Sequence, residues 1–261
     1  MWRDFFETEY CIFNDTLICK VKHIDGLTAF SHPLGPDTKG GIKELESYCR
    51  NISIPLVFCS ATEAEIAVYR ELYPMLQITA NEDWDDYLYK ADDLIYLEGR
   101  KYSGQRNHIN FFVRNYSNFA AEEITQNNLC EVSDFYKNAI SDVAKDTRIF
   151  REGREKTFEL LNNFRQYNML GCLLRVDGAV IGFAVGEILK DTLFVHVERV
   201  DTGYRGAYQM MAKLFPSIFA DRGFLFVNRE EDDGDAGLRT AKKAYHPIEM
   251  IRKHLVVVPS H

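Results

Sequence analysis

The fold is decided by one stretch of the chain, Thr192 to Phe215, which reads TLFVHVERVDTGYRGAYQMMAKLF. Its first part alternates between two faces. One face holds Leu193, Val195 and Val197, and the other holds Phe194, His196 and Glu198. This period of two, with many β-branched and aromatic residues, predicts a strand over Thr192–Val200. From Tyr208 onward apolar residues recur at three- and four-residue steps, which predicts a helix.

The turn between this strand and helix is a candidate anion site. The first turn of a helix leaves backbone N–H groups without partners inside the helix, and such groups attract phosphate or another anion. We therefore expect a phosphate-bearing ligand near Arg205, Gly206, Ala207 and Tyr208. Most strand–turn–helix joints bind nothing, so a purely structural turn is the alternative.

The composition is that of an ordinary globular protein and narrows the function classes. The 261 residues are 46% hydrophobic and 27% charged, with a net charge of −8 at pH 7. The negative net charge is unfavourable for binding many nucleic-acid phosphates, although a local basic patch is still compatible with the composition. No apolar run approaches the ~20 residues that span a bilayer, and the first residues do not resemble a signal peptide, so we expect a cytoplasmic protein. The six cysteines contain no C-x-x-C pair, which argues against a disulfide framework and against a metal site.

A second candidate site lies in the middle of the chain, on a predicted helix that carries many polar residues. The apolar stripe of this helix is Ile109, Phe112, Val113 and Tyr116. Arg106, His108 and Asn110 lie on its polar side and could form a cationic wall for an anionic ligand. The alternatives are a solvated helix face and, for His108, a structural histidine.

The order of predicted elements divides the chain into two mixed α/β halves, which we place at 1–118 and 119–261. The second half is predicted to contain helices over 131–144 and 154–167, strands over 170–176 and 179–189 around the turn Asp177-Gly178, the strand and helix quoted above, a strand over 224–227, a helix over 236–245 and a last strand over 249–257. Pro216 is expected to kink or divide the helix that begins at Tyr208.

This order resembles that of the GNAT acyltransferase fold. In that family a central strand leads into a turn whose amides hold the pyrophosphate of acyl-coenzyme A, with the signature Arg/Gln-x-x-Gly-x-Gly/Ala. The corresponding residues of this chain, Gly203-Tyr204-Arg205-Gly206-Ala207, depart from the full signature.

A closer resemblance is carried by three motifs in order: DYLYKADDLIYLEGRKYSGQRNHINFF, then HVERVDTGYRGAYQMM, then VNREEDDGDAGLRTAKKAYHP. Together they resemble the C-terminal catalytic domain of phosphatidylglycerol lysyltransferases, in its stand-alone branch. The resemblance implies an α/β fold of two tandem GNAT-like domains with mixed central sheets and flanking helices. Family members attached to membrane domains move an amino acid from aminoacyl-tRNA to a lipid headgroup.

The GNAT resemblance also implies two catalytic residues. Glu198 lies near the end of the central strand, where GNAT enzymes often place a base, and Tyr245 closes the penultimate helix, where many carry a tyrosine acid. Acyl transfer needs such a base for the nucleophile and an acid for the leaving group. The alternatives are an ion pair for Glu198 and a core position for Tyr245.

Further candidate ligand-binding residues surround this pair. His196 shares a face with Glu198, and Asn228 and Glu230 follow the predicted strand over 224–227. Ligands of such sheets sit at the carboxyl ends of strands, so we expect Asn228 and Glu230 to contact one.

The residues that follow allow two interpretations. Arg239 and Lys242 lie three apart on the next helix, and are expected either to pair with the neighbouring acids or to meet a phosphate. Asp232 and Asp233 are expected in an acidic surface loop.

Three interpretations of the function therefore stay open. The first is an acyl- or aminoacyltransferase that uses aminoacyl-tRNA or acyl-coenzyme A as donor, without a firm cofactor, and a small or lipidic amine or hydroxyl as acceptor. Its donor phosphate would lie at Arg205 to Tyr208, with Arg106 and His108 contributing from the other half. The second is a non-catalytic module that binds a small ligand, and a structural partner protein is a third reading. The sequence leaves the donor, the acceptor and the oligomeric state open.

Overall fold

A computed structural model describes residues 6–23, 26–141 and 148–259. The chain forms two compact units, one made of the residues up to 86 together with those from 251 onward, and the other made of residues 87–250. These units divide at other positions than the boundary expected between residues 118 and 119. That boundary concerns GNAT-like repeats and stays a prediction.

Strands and helices follow one another along the whole of the described chain. The strands are β1 (Glu9–Phe13), β2 (Thr16–Lys22), β3 (Thr28–Phe30), β4 (Leu56–Ala61), β5 (Gln77–Ala80), β6 (Asp86–Lys90), β7 (Phe119–Glu123), β8 (Leu170–Val176), β9 (Ala179–Leu189), β10 (Thr192–Val200), β11 (Phe226–Asn228), β12 (Glu249–Ile251) and β13 (His254–Val258). The helices are α1 (Thr38–Asn51), α2 (Glu63–Leu72), α3 (Ala91–Tyr96), α4 (Ser103–Asn115), α5 (Leu129–Ser141), α6 (Arg148–Asn162), α7 (Ala207–Ile218) and α8 (Ala236–Lys243). The predicted α/β class, with two mixed sheets and flanking helices, is confirmed.

The first unit is built on a six-stranded sheet in the order β1-β2-β3-β4-β13-β5. β3 and β4 are parallel and the other neighbours are antiparallel. The apolar faces of α1 and α2 bury Ile42 and Tyr69 against Phe58 and Val256 of the sheet. The ring centres of Phe58 and Tyr69 are stacked 4.2 Å apart. This burial of apolar surface is the main source of the unit's stability.

The second unit is built on a seven-stranded sheet in the order β12-β6-β11-β10-β9-β8-β7. β10 and β11 are parallel, whereas β10, β9, β8 and β7 form an antiparallel series. The predicted strand Thr192–Val200 is confirmed as β10, and the predicted hairpin is confirmed because Val176 pairs with Ala179 across Asp177-Gly178. The parallel pair is important because it brings two strand ends to one edge of the sheet.

The helix that follows β10 packs on this sheet with its predicted apolar face. Met211 and Phe215 of α7 are buried in the core, and α3 and α4 pack beside this helix. Pro216 lies inside α7, which continues to Ile218, so the proline does not divide the helix as expected. A proline this close to the end of a helix removes few of the helix's backbone hydrogen bonds, so the helix can continue to its end.

The predicted last strand over 249–257 is wrong as a single element. β12 belongs to the seven-stranded sheet and β13 to the six-stranded one. Between them, the Lys253 N–H donates to Asp85 Oδ1 at 3.3 Å, and Lys253 Nζ lies 2.6 Å from Asp86 Oδ1. These contacts fix the connection, which an unbroken apolar run in the sequence does not reveal.

Other predicted elements shift at their ends. The strand expected over 224–227 is β11, and the helix expected over 236–245 is α8. The helices expected over 131–144 and 154–167 correspond to α5 and α6, and residues 142–144 lie outside the described part. The sequence pattern predicted no strand at β6. Within the described residues, no helix has both the length and the apolar character needed to cross a membrane.

The turn between β10 and α7 requires a glycine at position 206. Gly206 has φ +90°, and a Cβ there would lie 2.4 Å from the His108 carbonyl oxygen and 3.1 Å from Phe112 Cβ. α4 therefore packs directly against the backbone of this turn.

Gly206→Ala is expected to lower the free energy of unfolding by roughly 2 kcal/mol or more, because a left-handed backbone and a clash with main-chain atoms act together. Urea unfolding measures this loss. Gly203→Ala in the same turn is the control, since its Cβ would meet only the Asp201 carboxylate at 3.1 Å. Equal unfolding midpoints for the two variants would contradict the described packing.

Candidate active site

A cleft of about 500 Å³ opens in the second unit near the ends of β10 and β11. Open α/β sheets bind ligands at this edge. The lining includes His196 and Glu198 from β10, Tyr208 and Gln209 from α7, Arg229 and Glu230 after β11, Leu238, Ala241 and Lys242 from α8, and Tyr245 just after it. The cleft thus brings together Glu198, Tyr245, Tyr208, His196, Glu230 and Lys242 of the predicted site.

The floor of the cleft is a contact between Glu198, Arg229 and Tyr245. Arg229 Nη2 donates to both Glu198 carboxylate oxygens at 3.2 and 3.0 Å. The Arg229 guanidinium carbon lies 5.2 Å from the centre of the Tyr245 ring. This cation–π and ion-pair arrangement fixes the carboxylate and the phenol around one guanidinium, whose side chain is only 12% exposed. The predicted alternative of an ion pair for Glu198 is thus present in the structure, and its role as base stays a proposal.

The surroundings of this contact shift the pKa values of Tyr245 and Arg229. Burial raises the pKa of Tyr245 to about 12, although the Arg229 charge acts in the opposite direction. Burial disfavours the charged form of Arg229, but the Glu198 carboxylate outweighs it and the pKa of Arg229 is raised. Tyr245 is therefore protonated at neutral pH and can donate a proton.

His196 is held between two carboxylates beside this contact. Its Nδ1 lies 2.6 Å from Glu230 Oε1, and its Nε2 lies 3.1 Å from Glu187 Oε1. Burial works against the charged ring, but the bonds to Glu230 and then Glu187 outweigh it and raise the pKa of His196. Since both ring nitrogens face carboxylates, both donate and the ring is an imidazolium. His196 is thus suited to hold Glu230 in place rather than to accept a proton.

The β-bulge that presents His196 has a clear origin in the strand pairing. Val195 pairs with Gly186 and Val197 with Val185, so one extra residue lies between them on β10. Such bulges re-aim a side chain next to functional sites. A Cβ at Gly186 would lie 1.8 Å from the Phe194 carbonyl oxygen, so only glycine permits this close approach.

The Lys242 ammonium group binds the backbone that follows β11. It therefore has neither of its two expected roles, an ion pair with the neighbouring acids or a contact with a phosphate. Its Nζ donates to the carbonyl oxygens of Arg229, Glu230 and Glu231 at 2.6, 3.1 and 2.5 Å. These bonds use all three protons of the ammonium group. Burial, together with the nearby Arg229 charge, lowers the pKa of Lys242 to about 8.

Asp232 is fully buried, so its expected place in an acidic surface loop is wrong. Its carboxylate accepts from Arg239 Nε and Nη2, both at 2.8 Å, from the Tyr87 hydroxyl at 2.5 Å and from the Gly234 N–H at 3.0 Å. The neighbouring Asp233 is exposed, as expected. Arg239 therefore pairs with an acid, one of its two predicted alternatives, and does not line the cleft.

Two further predicted residues have structural roles. The Asn228 side-chain oxygen accepts from the Glu230 N–H at 2.7 Å and closes the turn after β11. Arg106 donates to the carbonyl oxygens of Leu97 and Gly99, the latter at 2.7 Å, and so ties the turn between α3 and α4. Asn110 is exposed on α4 and does not line the cleft.

The four residues of the predicted anion-binding turn do not line one common surface. Gly206 and Ala207 are buried, and only Tyr208 of this group lines the cleft. Arg205 lines a second concavity of about 360 Å³ together with His108 on α4. Both concavities belong to the second unit, so Arg106 and His108 are in the same compact unit as Glu198 and not in another one.

Arg229 and Glu187 were absent from the predicted site. The signal for Arg229 was its position directly after a predicted strand end, between Asn228 and Glu230. Glu187 carries no local signal, because its contact with His196 depends on the antiparallel pairing of β9 with β10. Among the described residues, no group of three or more His, Cys, Asp or Glu side chains is arranged to hold a metal ion.

The phosphatidylglycerol lysyltransferase C-terminal family model matches residues 1–257. The chain belongs to this family. The resemblance predicted from the three motifs is thereby confirmed.

The relatives of this phosphatidylglycerol lysyltransferase C-terminal family member have low sequence identity to it. An uncharacterised protein of Mycoplasmoides gallisepticum is 28% identical over 181 residues, which are 68% of this chain, and the chain spans 58% of that relative's length. A conserved protein of unknown function from Bacteroides thetaiotaomicron is 27% identical, with a TM-score of 0.89 over 99% of this chain and 88% of that one. L-PGS from Bacillus licheniformis is 14% identical, with a TM-score of 0.67 over 97% of this chain and 85% of that one, and shares the fold.

Proposed function

We propose that this protein is an acyl- or aminoacyltransferase whose reaction takes place in the cleft of the second unit. The observation that carries the proposal is the contact of Glu198 and Tyr245 with the same Arg229 guanidinium. A carboxylate and a protonated phenol thus line one cleft, as acyl transfer with acid–base assistance requires. Membership of the phosphatidylglycerol lysyltransferase C-terminal family supports this chemistry.

The proposed reaction moves two protons and exchanges one bond. The acceptor oxygen or nitrogen attacks the carbonyl carbon of the donor ester or thioester while the Glu198 carboxylate takes its proton. The tetrahedral intermediate then expels the donor oxygen or sulfur, which receives the proton of the Tyr245 hydroxyl. Solvent returns a proton to Tyr245 and removes one from Glu198.

The cleft carries a balanced set of charges. Its carboxylates are Glu198, Glu230, Glu231 and Asp235, and its cationic side chains are His196, Arg199, Arg229 and Lys242. The charges of the lining therefore do not select the donor. Membership of the phosphatidylglycerol lysyltransferase C-terminal family supports aminoacyl-tRNA before acyl-coenzyme A as the proposed donor. The proposed acceptor is a lipid headgroup or a small amine or hydroxyl.

A transfer assay with two donors and two acceptors tests this function. Radiolabelled aminoacyl-tRNA or acetyl-coenzyme A is incubated with the protein and with either phosphatidylglycerol vesicles or soluble amines. Label moving to an acceptor above the rate without protein supports the proposal, and the pairing identifies donor and acceptor. Absence of transfer from both donors to both acceptors would contradict it.

The second candidate is a non-catalytic module that binds a small ligand. It is favoured by the pairing of Glu198 with Arg229, which engages both carboxylate oxygens within the protein. This function predicts saturable binding of a donor without release of its acyl group, whereas the transferase predicts turnover.

A further inference from the structure

A groove on α4 differs in charge and lining from the cleft. It has a volume of about 360 Å³ and is lined by Gly104, Asn107, His108, Phe111, Arg114, Asn115 and Arg205. We call it the Arg205 groove. No lining residue carries a carboxylate, although the whole chain has a net charge of −8.

In the part of the chain that the structure describes, no carboxylate neutralises the two arginines of the Arg205 groove. Elsewhere Arg175 pairs with Glu122 and Glu131, and Arg50 pairs with Glu46. Within the described ranges, neither Arg114 nor Arg205 lies in an ion pair with a carboxylate. The Arg114 Nε donates to the Asn110 carbonyl at 3.1 Å, and no described residue bonds its terminal N–H groups, which can therefore donate to a ligand.

The groove also offers a flat surface. The Arg205 guanidinium carbon lies 4.5 Å from the centre of the Phe111 ring, so the guanidinium is held over an aromatic face. This contact orients a fork of donors that matches the oxygens of a phosphate. An outward guanidinium plane is in addition a surface on which a nucleobase stacks.

We propose that the Arg205 groove binds a phosphate group of a nucleotide, through Arg205 and Arg114, and thereby holds the donor of the proposed transfer reaction. This site uses the side chains of Arg205 and of Arg114 on α4, and it differs from the expected cradle of turn amides because Gly206 is buried against the His108 carbonyl. Tyr208, three residues after Arg205, lines the cleft. The Arg205 groove and the cleft are therefore joined along the chain by the short segment from Arg205 to Tyr208. That the bound molecule is the donor rests on the proposed function, whereas phosphate binding in the groove does not.

Direct binding of three probes tests the inference without any turnover. The probes are inorganic phosphate, coenzyme A and a short single-stranded RNA, measured by calorimetry at several salt concentrations. Binding of RNA with little binding of coenzyme A identifies a nucleic-acid phosphate, and the reverse identifies the coenzyme. Absence of binding for every probe would overturn the proposal.

Four variants locate the binding. Arg205→Ala is expected to raise the dissociation constant of the probe at least 10-fold. It is also expected to reduce the salt dependence of RNA binding by about one phosphate contact. Gly104→Glu places a charge in the groove, where a Cβ meets open space, and is expected to weaken binding more than Gly104→Gln does. Arg222→Ala removes an equal charge from an exposed position outside the groove. An equal loss in Arg222→Ala, or wild-type affinity in both Arg205→Ala and Gly104→Glu, would overturn the site.

The two proposals fail in different ways. Binding that depends on Arg205 in a protein that transfers nothing leaves the groove standing and rejects the transferase. Transfer whose KM for the donor is unchanged in Arg205→Ala leaves the transferase standing and rejects the groove.

Discussion

Glu198→Gln is expected to lower kcat of the transfer reaction roughly 10²–10⁴-fold while leaving KM nearly unchanged, because a positioned base contributes about that factor. Glutamine keeps an oxygen that can accept from Arg229, which bonds both Glu198 oxygens in the wild type. It cannot take a proton from the acceptor. Steady-state rates over a range of acceptor concentrations separate kcat from KM.

Two controls keep this result interpretable. Glu198→Asp retains a carboxylate and is expected to retain more activity than Glu198→Gln. Thermal unfolding shows whether Arg229 is still accommodated, since an unpaired buried charge is strongly destabilising. A folded Glu198→Gln protein with a kcat within about threefold of wild type would remove Glu198 from the mechanism.

Asp232→Asn is expected to lower the free energy of unfolding by about 3 kcal/mol, because it removes the charge partner of Arg239 inside the protein. Asp232 is completely buried and accepts four hydrogen bonds, from Arg239, Tyr87 and Gly234. Asp233→Asn makes the same chemical change at the exposed neighbouring position and is expected to change stability by less than about 0.5 kcal/mol. Urea unfolding of both variants at pH 7 gives the comparison.

The same carboxylate predicts a dependence on pH. Hydrogen bonding from Arg239 is the main cause that lowers the pKa of Asp232 to about 2, whereas burial acts the other way. A carboxyl group with a lowered folded pKa contributes stability above its unfolded pKa of about 4, and this contribution is lost as the pH falls from about 4 to 2. Wild-type stability is therefore expected to fall more steeply over this range than that of Asp232→Asn. Parallel curves would show that Asp232 is not held as described.

Local patterns were sufficient to predict the centre of the second unit. The alternation of Thr192–Val200 and the turn Asp177-Gly178 decided β8, β9 and β10 without long-range information. β6 was missed although Tyr87 and Tyr89 alternate and are both buried, since the strand is short and runs directly into α3. The division of 249–257 between two sheets depends on Lys253 and its partners near residue 86, which no local pattern encodes.

Part of the candidate site was predicted from polar residues that directly follow the end of a strand. Glu230 follows this rule, Glu198 was expected from the GNAT resemblance, and both line the cleft. Arg106 and Arg239 had the right charge but lie elsewhere, because each is bonded to groups whose position depends on tertiary structure. The GNAT resemblance thus indicated an acid–base pair, whereas only the fold decides which cationic side chains are already bonded within the protein.

The central claim is that acyl transfer takes place in the cleft, and a variant that fills the cleft tests it most directly. Ala241 lines the cleft from α8 and is exposed, whereas Lys243 on the same helix is exposed and does not line it. The measurement is the single-turnover rate of label transfer by Ala241→Trp and Lys243→Trp. We predict that Ala241→Trp loses at least 100-fold in rate while Lys243→Trp matches the wild type. Wild-type transfer by a folded Ala241→Trp protein would contradict the account.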